Sequence, residues 1–396
     1  MAWKQMDIRQ QRAEFSVRAW RGEPVSGLCL EYGISRPTGY LWKQRFAAQG
    51  VAGLDDRSRR PAHSPRQTAA GMEARIVELR RARPDWGARK LAVLLSREGY
   101  LLPVITVHRV LLRHGLVRPA DSRSPATQRF ERERPNELWQ MDFKGQKESQ
   151  AAIGPLSVLD DHSRYAVALE QTGTTCAEAV RERLEGVFVC NGVPDAMLMD
   201  HGIPWWSSSA PSGWTQFPVW MMKQGIGCHF SAIRHPETQG KVERFHQSLE
   251  RARTRRGQQQ VWLTQSWLDD FRYEYNHLRP HEALNMQTPA SRWHPSQRKY
   301  QLDPPAWEYG TGAEVRRLSV DGDLYLDNHR WRISQALAGE PVRLERTDQR
   351  ILIYYCNTLI RDLDLGAQRS TAVDRWAQPP NPTKNDTCKG SPDNTL

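Results

Sequence analysis

Cysteine is sparse and does not group: Cys29, Cys176, Cys190, Cys228, Cys356 and Cys388 are spread over 396 residues with no C-x-x-C pair. That spacing offers neither a zinc module nor a disulfide framework, and it fits a reducing compartment. No apolar run reaches 18 residues, and Met1 to Gln10 is charged from Lys4 onward without an apolar stretch, so neither a membrane span nor an export signal is expected. Acidic residues are short at the front: residues 1–135 hold 26 Lys and Arg against 13 Asp and Glu, whereas residues 136–396 hold 30 against 32. The net charge of +11 is therefore lodged in the first third, as in an arm that meets an anionic partner such as nucleic acid or a membrane surface. The length suits two to four domains with a sizeable core, and the 39% hydrophobic content describes a polar protein with some disordered tail.

Residues 7–46 show the periodicity of three short helices: an amphipathic opener, a second over Val25 to Tyr32 and a third over Arg36 to Phe46. Gly33-Ile34 makes the turn, Ser35 is a fitting N-cap, and Pro37 suits the first helical turn. This is a helix-turn-helix pattern, in which the start of the last helix meets base edges: here Arg36, Thr38 and Tyr40, with Lys43 near phosphate. An ordinary helical hairpin has the same pattern, and it is the charge that favours DNA. A second cycle follows a joint at Asp55 to Gln67, with helices over Gly71 to Arg83, Ala88 to Ser96 and Ile105 to His114, the last presenting Thr106, His108 and Arg109. Two such units read a longer site than one. The expected domains are 1–54 and 68–118, followed by a basic linker, 119–136, containing Arg123, Arg129, Arg132 and Arg134.

From Asn136 an α/β texture begins. Leu138 to Phe143, Leu156 to Asp160, Tyr165 to Leu169 and Ala196 to Met199 alternate or run apolar like short strands. The period of two puts Leu138, Gln140 and Asp142 on one face of the first strand. Asp200 ends the last of these strands. Glu243 belongs to a helix whose Val242, Phe245 and Leu249 make the buried face, while Gln239, Glu243 and Gln247 align at i, i+4 and i+8. A lone acid at a strand end or on a helix is usually a cap or a solvated charge. Three hard oxygen ligands converging from two strands and a helix are what a pair of Mg²⁺ ions needs for phosphoryl transfer.

Trp139-Gln140-x-Asp142, Val158 to Tyr165, Asp200-His201-Gly202 and His235-Pro236-x-Thr238-Gln239-Gly240-Lys241-Val242-Glu243-Arg244 resemble the integrase-type catalytic core of bacterial insertion-sequence transposases, in the retroviral-integrase-like superfamily. Tyr275-Asn276-x-x-Arg279-Pro280-His281-x-Ala283-Leu284 with Thr288-Pro289-Ala290 resembles the segment that closes that core. The resemblance implies a ribonuclease H-like fold over 137–293, with Asp142, Asp200 and Glu243 as the DDE triad holding two Mg²⁺ (or Mn²⁺) ions. Asp160, Asp161 and His162 are supporting candidates, and at most one of the two adjacent aspartates can face the cleft. Asp200 and Glu243 stand further apart than is common in the group. The excess falls in Trp205 to Trp214, expected as a surface loop whose tryptophans either stack on an unpaired base or pack over a helix. Arg244, Arg251, Arg253, Arg255 and Arg256 form a basic helix face suited to DNA phosphates or to ordinary salt bridges, and Gln239 and Lys241 are the best further DNA contacts.

Strand-like alternation over 313–366 suggests a small all-β SH3-like barrel at the C-terminus, with Arg330 and Arg332 as DNA contacts, before a disordered tail at 367–396. The expected function is transposition. The chain binds terminal inverted repeats through residues 1–118, cleaves to expose 3′-hydroxyl ends, and joins them to target DNA as a dimer or larger assembly in the bacterial cytoplasm, nucleoid-associated, with no membrane partner. A DNA-binding regulator with an inactive core and a metal-dependent nuclease that does not join are the alternatives.

Overall fold

The computed structural model describes residues 7–56, 67–117, 131–145, 154–207, 212–231, 240–257 and 264–373. The chain divides into two compact units, Met1–Gln67 and Thr68–Leu396. The first is trihelical: α1 (Ile8–Trp20), α2 (Val25–Glu31) and α3 (Arg36–Gln49), closed by a 3₁₀ turn at Gly50–Leu54. Gly33, at φ +64°, makes the left-handed turn, a conformation that costs a residue with a Cβ. Ser35 then caps α3 by accepting from the Thr38 N–H at 3.4 Å. Close packing needs Gly39 as well, because a Cβ there would lie 2.4 Å from Cys29 Sγ. The core is Phe15, Ala19, Val25, Leu28 and Cys29, small enough that Trp42 contributes by lying under the guanidinium groups of Arg12 and Arg45, 4.2 and 4.9 Å from its ring centre.

The second unit opens with α4 (Ala70–Ala82), α5 (Ala88–Arg97) and α6 (Val104–Arg113) around Ile76, Trp86, Leu91, Leu95, Val107 and Val110. A five-stranded sheet follows: β1 (Trp139–Phe143), β2 (Leu156–Asp160), β3 (Ala166–Glu170), β4 (Ala196–Met199) and β5 (Gly227–Phe230), in the order β3-β2-β1-β4-β5. The first three strands are antiparallel, and β4 and β5 run parallel to β1. Strand alternation sends Trp139 and Met141 to one face, where they meet α7 (Ala177–Asn191) and α8 (Gln216–Lys223). The other face, with Leu159, Ala166 and Leu169, packs on α9 (Gly240–Arg255) and α10 (Gln265–Tyr273) through Phe245, Leu249, Leu268 and Phe271. A π-helical turn at Glu274–Leu278 extends α10. Its Asn276 side chain bonds both the N–H (2.8 Å) and the carbonyl (3.0 Å) of Ala166, standing in for a strand beside edge strand β3.

The C-terminal region departs from the SH3-like barrel. Its strands β6 (Glu314–Arg317), β9 (Pro341–Arg346), β10 (Arg350–Tyr355), β11 (Thr358–Asp364) and β12 (Arg369–Ala372) form an open antiparallel sheet in the order β12-β11-β10-β9-β6, and β7 (Asp323–Leu326) pairs only with β8 (His329–Arg332). Alternation identifies strands, and closure depends on long-range register that alternation does not encode. The disordered tail expected from residue 367 also begins too early, since Arg369–Ala372 pairs with β11; residues 374–396 lie outside the described residues. This sheet shares one continuous core with α7, α8 and the central sheet. Thr358 accepts from the Cys228 N–H of β5 (3.4 Å) and Asn357 donates to the Gly225 carbonyl (3.0 Å). Arg330, still exposed, and Arg332, half-buried, pair with buried Asp323 at 2.6 and 3.2 Å. Among the described residues no helix is long and apolar enough to cross a membrane.

Candidate active site

Parallel pairing sets Gln140 of β1 opposite Leu198 of β4. Two residues further on, Asp142 and Asp200 therefore leave neighbouring strands side by side. Asp200 is fixed by two donors to Oδ1: the Gly202 N–H at 3.0 Å and the Trp205 indole N–H at 2.7 Å. Trp205 is itself buried and stacks on Phe143, ring centres 5.5 Å apart. The loop expected at the surface thus sends Trp205 and Trp214 into the core, and one of its tryptophans holds a carboxylate. Residues 208–211 of that loop lie outside the described residues.

Three links seat α9 on the sheet. The Val242 N–H donates to the buried Gln140 side chain (3.4 Å), the Lys241 ammonium reaches Asp161 Oδ2 (2.5 Å) and its carbonyl (3.1 Å), and His246 Nε2 meets Ser157 Oγ at 2.9 Å. They carry Glu243, which is exposed, to the Asp142 side of the helix. Asp142 registers the result. Its carboxyl is pushed up to about 7, first by burial and then by the charge of Asp200, with a further push from Glu243; the Phe143 N–H and Lys144 oppose the rise in part. His246 Nδ1 lies 3.8 Å from Asp142 Oδ2, but burial drives its imidazole down to about 3, so it stands beside Asp142 as a neutral ring.

The supporting candidates are spent on structure. Asp160 accepts from Ser163 N and Oγ and from the Asn136 N–H, which closes the turn after β2. Asp161, fully buried, accepts from Gln140 Nε2 (2.8 Å) and the Arg132 N–H (2.9 Å) besides its pair with Lys241. His162 Nδ1 meets the Arg132 carbonyl (2.8 Å), and its Nε2 meets Arg292 (3.1 Å). Lys241, expected as a DNA contact, is half-buried and pairs with Asp161, which anchors the start of α9. Arg253 pairs with Glu250, and Arg256 with Asp85 and Glu274. That leaves Arg244, exposed, and Arg251 and Arg255, half-buried, forming no ion pair with another described residue. Gln239 lies outside the described residues. In the trihelical modules Arg36, Tyr40, His108 and Arg109 are exposed, Lys43 and Thr106 half-buried, and Thr38 bonds Ser35 Oγ at 2.8 Å.

Among the described residues no three His, Cys, Asp or Glu side chains stand close enough together to grip a metal ion as they are. The chemistry of the donors nevertheless fits a divalent cation. Asp142, Asp200 and Glu243 are hard oxygen ligands whose mutual repulsion raises the proton affinity of Asp142, and a cation would relieve it.

Residues 11–62 match a helix-turn-helix domain, residues 38–111 a homeodomain-like domain, and residues 224–289 an integrase core domain. The chain is similar to an uncharacterized 31.7 kDa protein of insertion element IS407 from Burkholderia multivorans, 27% identical over 55% of this chain and 79% of that protein. It is also similar to an uncharacterized 39.2 kDa protein of insertion element IS476 from Xanthomonas euvesicatoria, 26% identical over 69% of this chain and 80% of that protein. Among solved structures, the HTLV-2 integrase catalytic core in complex with magnesium aligns at 16% identity and TM-score 0.32, covering 41% of this chain and 99% of that one. The chain thus carries segments similar to helix-turn-helix domains and to an integrase core, and over much of its length it is similar to proteins of bacterial insertion elements.

Proposed function

We propose that the chain binds the terminal inverted repeats of its element through residues 1–118, cleaves to free 3′-hydroxyl ends, and joins those ends to target DNA by transesterification, as a dimer or larger assembly on paired ends. Asp142, Asp200 and Glu243 would hold two Mg²⁺ or Mn²⁺ ions. When bound, such ions activate the attacking oxygen, first water and then the 3′-hydroxyl, and stabilise the leaving 3′-oxygen. The chain's own part is positional. β1 and β4 set two carboxylates abreast, Trp205 orients Asp200, and the Gln140, Lys241 and His246 links place Glu243 opposite them. Arg244 and Arg251 present positive charge along the same helix for the DNA backbone.

One observation carries this reading: a half-buried aspartate, Asp142, whose proton affinity is raised by burial and then by the two further carboxylates Asp200 and Glu243, with only partial compensation from the Phe143 N–H and Lys144. The test is joining of a labelled DNA carrying the element's end into a plasmid with Mg²⁺, comparing the intact protein with Glu243→Gln. Joined product from the intact protein alone supports the reading. End cleavage without joining would point to a nuclease, and tight binding with neither reaction to a regulator.

A further inference from the structure

The second trihelical module does not hang on a tether. Asp85, in the loop between α4 and α5, is wholly buried, and its two oxygens are taken by groups far along the chain. Oδ2 accepts from Arg279 at 2.8 Å, and Oδ1 from Arg256 at 3.0 Å. Arg256 also bonds Glu274 at 2.6 Å, with Arg83 at 3.7 Å from the same carboxylate. Beneath this cluster Trp86 is fully buried, with Arg279 5.8 Å from its ring centre. Arg97 of α5 donates to the Leu278 carbonyl (2.9 Å), and Leu278 packs into the core of α4–α6.

The partners of Asp85 matter for what they belong to. Arg256 directly follows α9, thirteen residues after Glu243. At 1.5 Å per residue that is about 20 Å along one helix axis. Arg279 follows the turn whose Asn276 is bonded to β3. Asp85 thereby touches the end of the helix bearing Glu243 and the segment that closes the sheet, while its own module carries α6 with His108 and Arg109 exposed. A buried carboxylate shared by two guanidinium groups is geometrically exacting: Arg256 sets Nε (3.3 Å) and Nη2 (3.0 Å) on Oδ1, and Arg279 sets Nη1 on Oδ2.

We infer that Asp85 is a positioning residue that locks the DNA-end-reading helix α6 at a fixed offset from the carboxylates, so that the clasp with Arg256 and Arg279 selects which phosphodiester is cut relative to the sequence bound. The inference rests on the transposase reading proposed above. It requires no contact between Asp85 and DNA, only that loosening the clasp blurs the position of the cut without removing the reading surface.

The test uses the full-length protein on a labelled terminal DNA with Mg²⁺, mapping the 3′ cut to the nucleotide and measuring end affinity by anisotropy without metal. Asp85→Asn removes the charge, and Arg279→Lys keeps the charge but replaces the planar guanidinium and its 2.8 Å bond with a shorter ammonium side chain. For each folded variant the expectation is end affinity within about threefold of the intact protein, cuts spread over neighbouring phosphates, and cleavage at the main position slowed at least tenfold. A folded variant that keeps a single cut at the original rate overturns the inference, as does loss of affinity and cleavage in the same proportion. If Asp85→Asn does not fold, Arg279→Lys decides. Should the intact protein cut no DNA at all, the transposase reading fails separately, and metal-free hydrogen exchange then judges the clasp: amides of 83–87 and 274–279 should lose protection together in Arg279→Lys, and unchanged protection overturns it.

Discussion

The two ends of β1 carry aspartates in contrasting surroundings. At its start, beside Trp139, Asp160 and Asp161 are fully buried and their oxygens are taken by backbone N–H groups, Gln140, Ser163 and the Lys241 ammonium. Near its end Asp142 faces Asp200 and Glu243 and is pushed up to about 7. The first cluster is closed, with its carboxylate oxygens hydrogen-bonded and Lys241 set against Asp161, although burial still raises the Asp160 carboxyl against the bonds from Ser163 and Asn136. The second is left with an excess of negative charge, which folding alone does not favour and a bound cation would balance. One helix joins the two, since Lys241 anchors α9 at the closed end and Glu243 serves the open one. Position in a cleft does not distinguish these acids; compensation does.

The comparison breaks most sharply if the open cluster turns out to be dispensable. Asp142→Asn should lower cleavage and joining by more than about a hundredfold, beyond the 10- to 100-fold typical of an outer partner of a metal ligand, while leaving the protein folded and binding its DNA end. At the closed end the same chemistry should act on stability. Lys241→Met leaves the Asp161 carboxylate buried without its cation and should cost about 3–5 kcal/mol in chemical denaturation. Adding Asp161→Asn should restore part of that loss, because the pair is then removed as a unit. Additive losses, or a selective drop in DNA affinity with stability intact, would return Lys241 to the DNA surface.

Local pattern was legible where a residue's role depends on its neighbours in sequence. Gly33 and Ser35 mark the turn and cap of α3, alternation in Trp139 to Phe143 separates Met141 from Asp142, and the spacing of Val242, Phe245 and Leu249 gives the buried face of α9. Roles fixed by distant partners were not. Lys241 and Arg256 have the look of DNA-facing cations until Asp161 and Asp85 are seen beside them. Trp205 sits in a run of serines and glycine typical of a surface loop, and its burial depends on Phe143 and Phe217. The open C-terminal sheet escaped for the same reason, since it shares its core with the central domain, tied to α8 and β5 by Gln216, Lys223 and Cys228, and not with a closed barrel of its own.

The finest test of the comparison is the dependence of stability on pH in the absence of divalent ions. Asp142 has its folded-state value raised from 3.8 to about 7, so between about pH 4 and 7 the folded chain keeps a proton that the unfolded chain has released. Its contribution therefore favours folding below this window and is lost as pH rises through it. Three units at about 1.4 kcal/mol each bound the effect at about 4 kcal/mol. Three histidines, His246 buried and His229 and His281 half-buried, work against it over much of the same range: burial lowers His229 to about 4, and His246 and His281 to about 3, so each favours folding more as pH rises toward 6.5. The raw profile thus mixes both signs, and the informative quantity is the difference between the intact protein and Asp142→Asn. The variant should be close to the intact protein in stability near pH 4, progressively more stable up to pH 7, and more stable by a constant amount above it. Millimolar Mg²⁺ should stabilise the intact protein and shrink that gap. A difference that is flat with pH, or that Mg²⁺ leaves untouched, would mean that Asp142 is as fully compensated as Asp161, and the distinction between the two ends of β1 would fall.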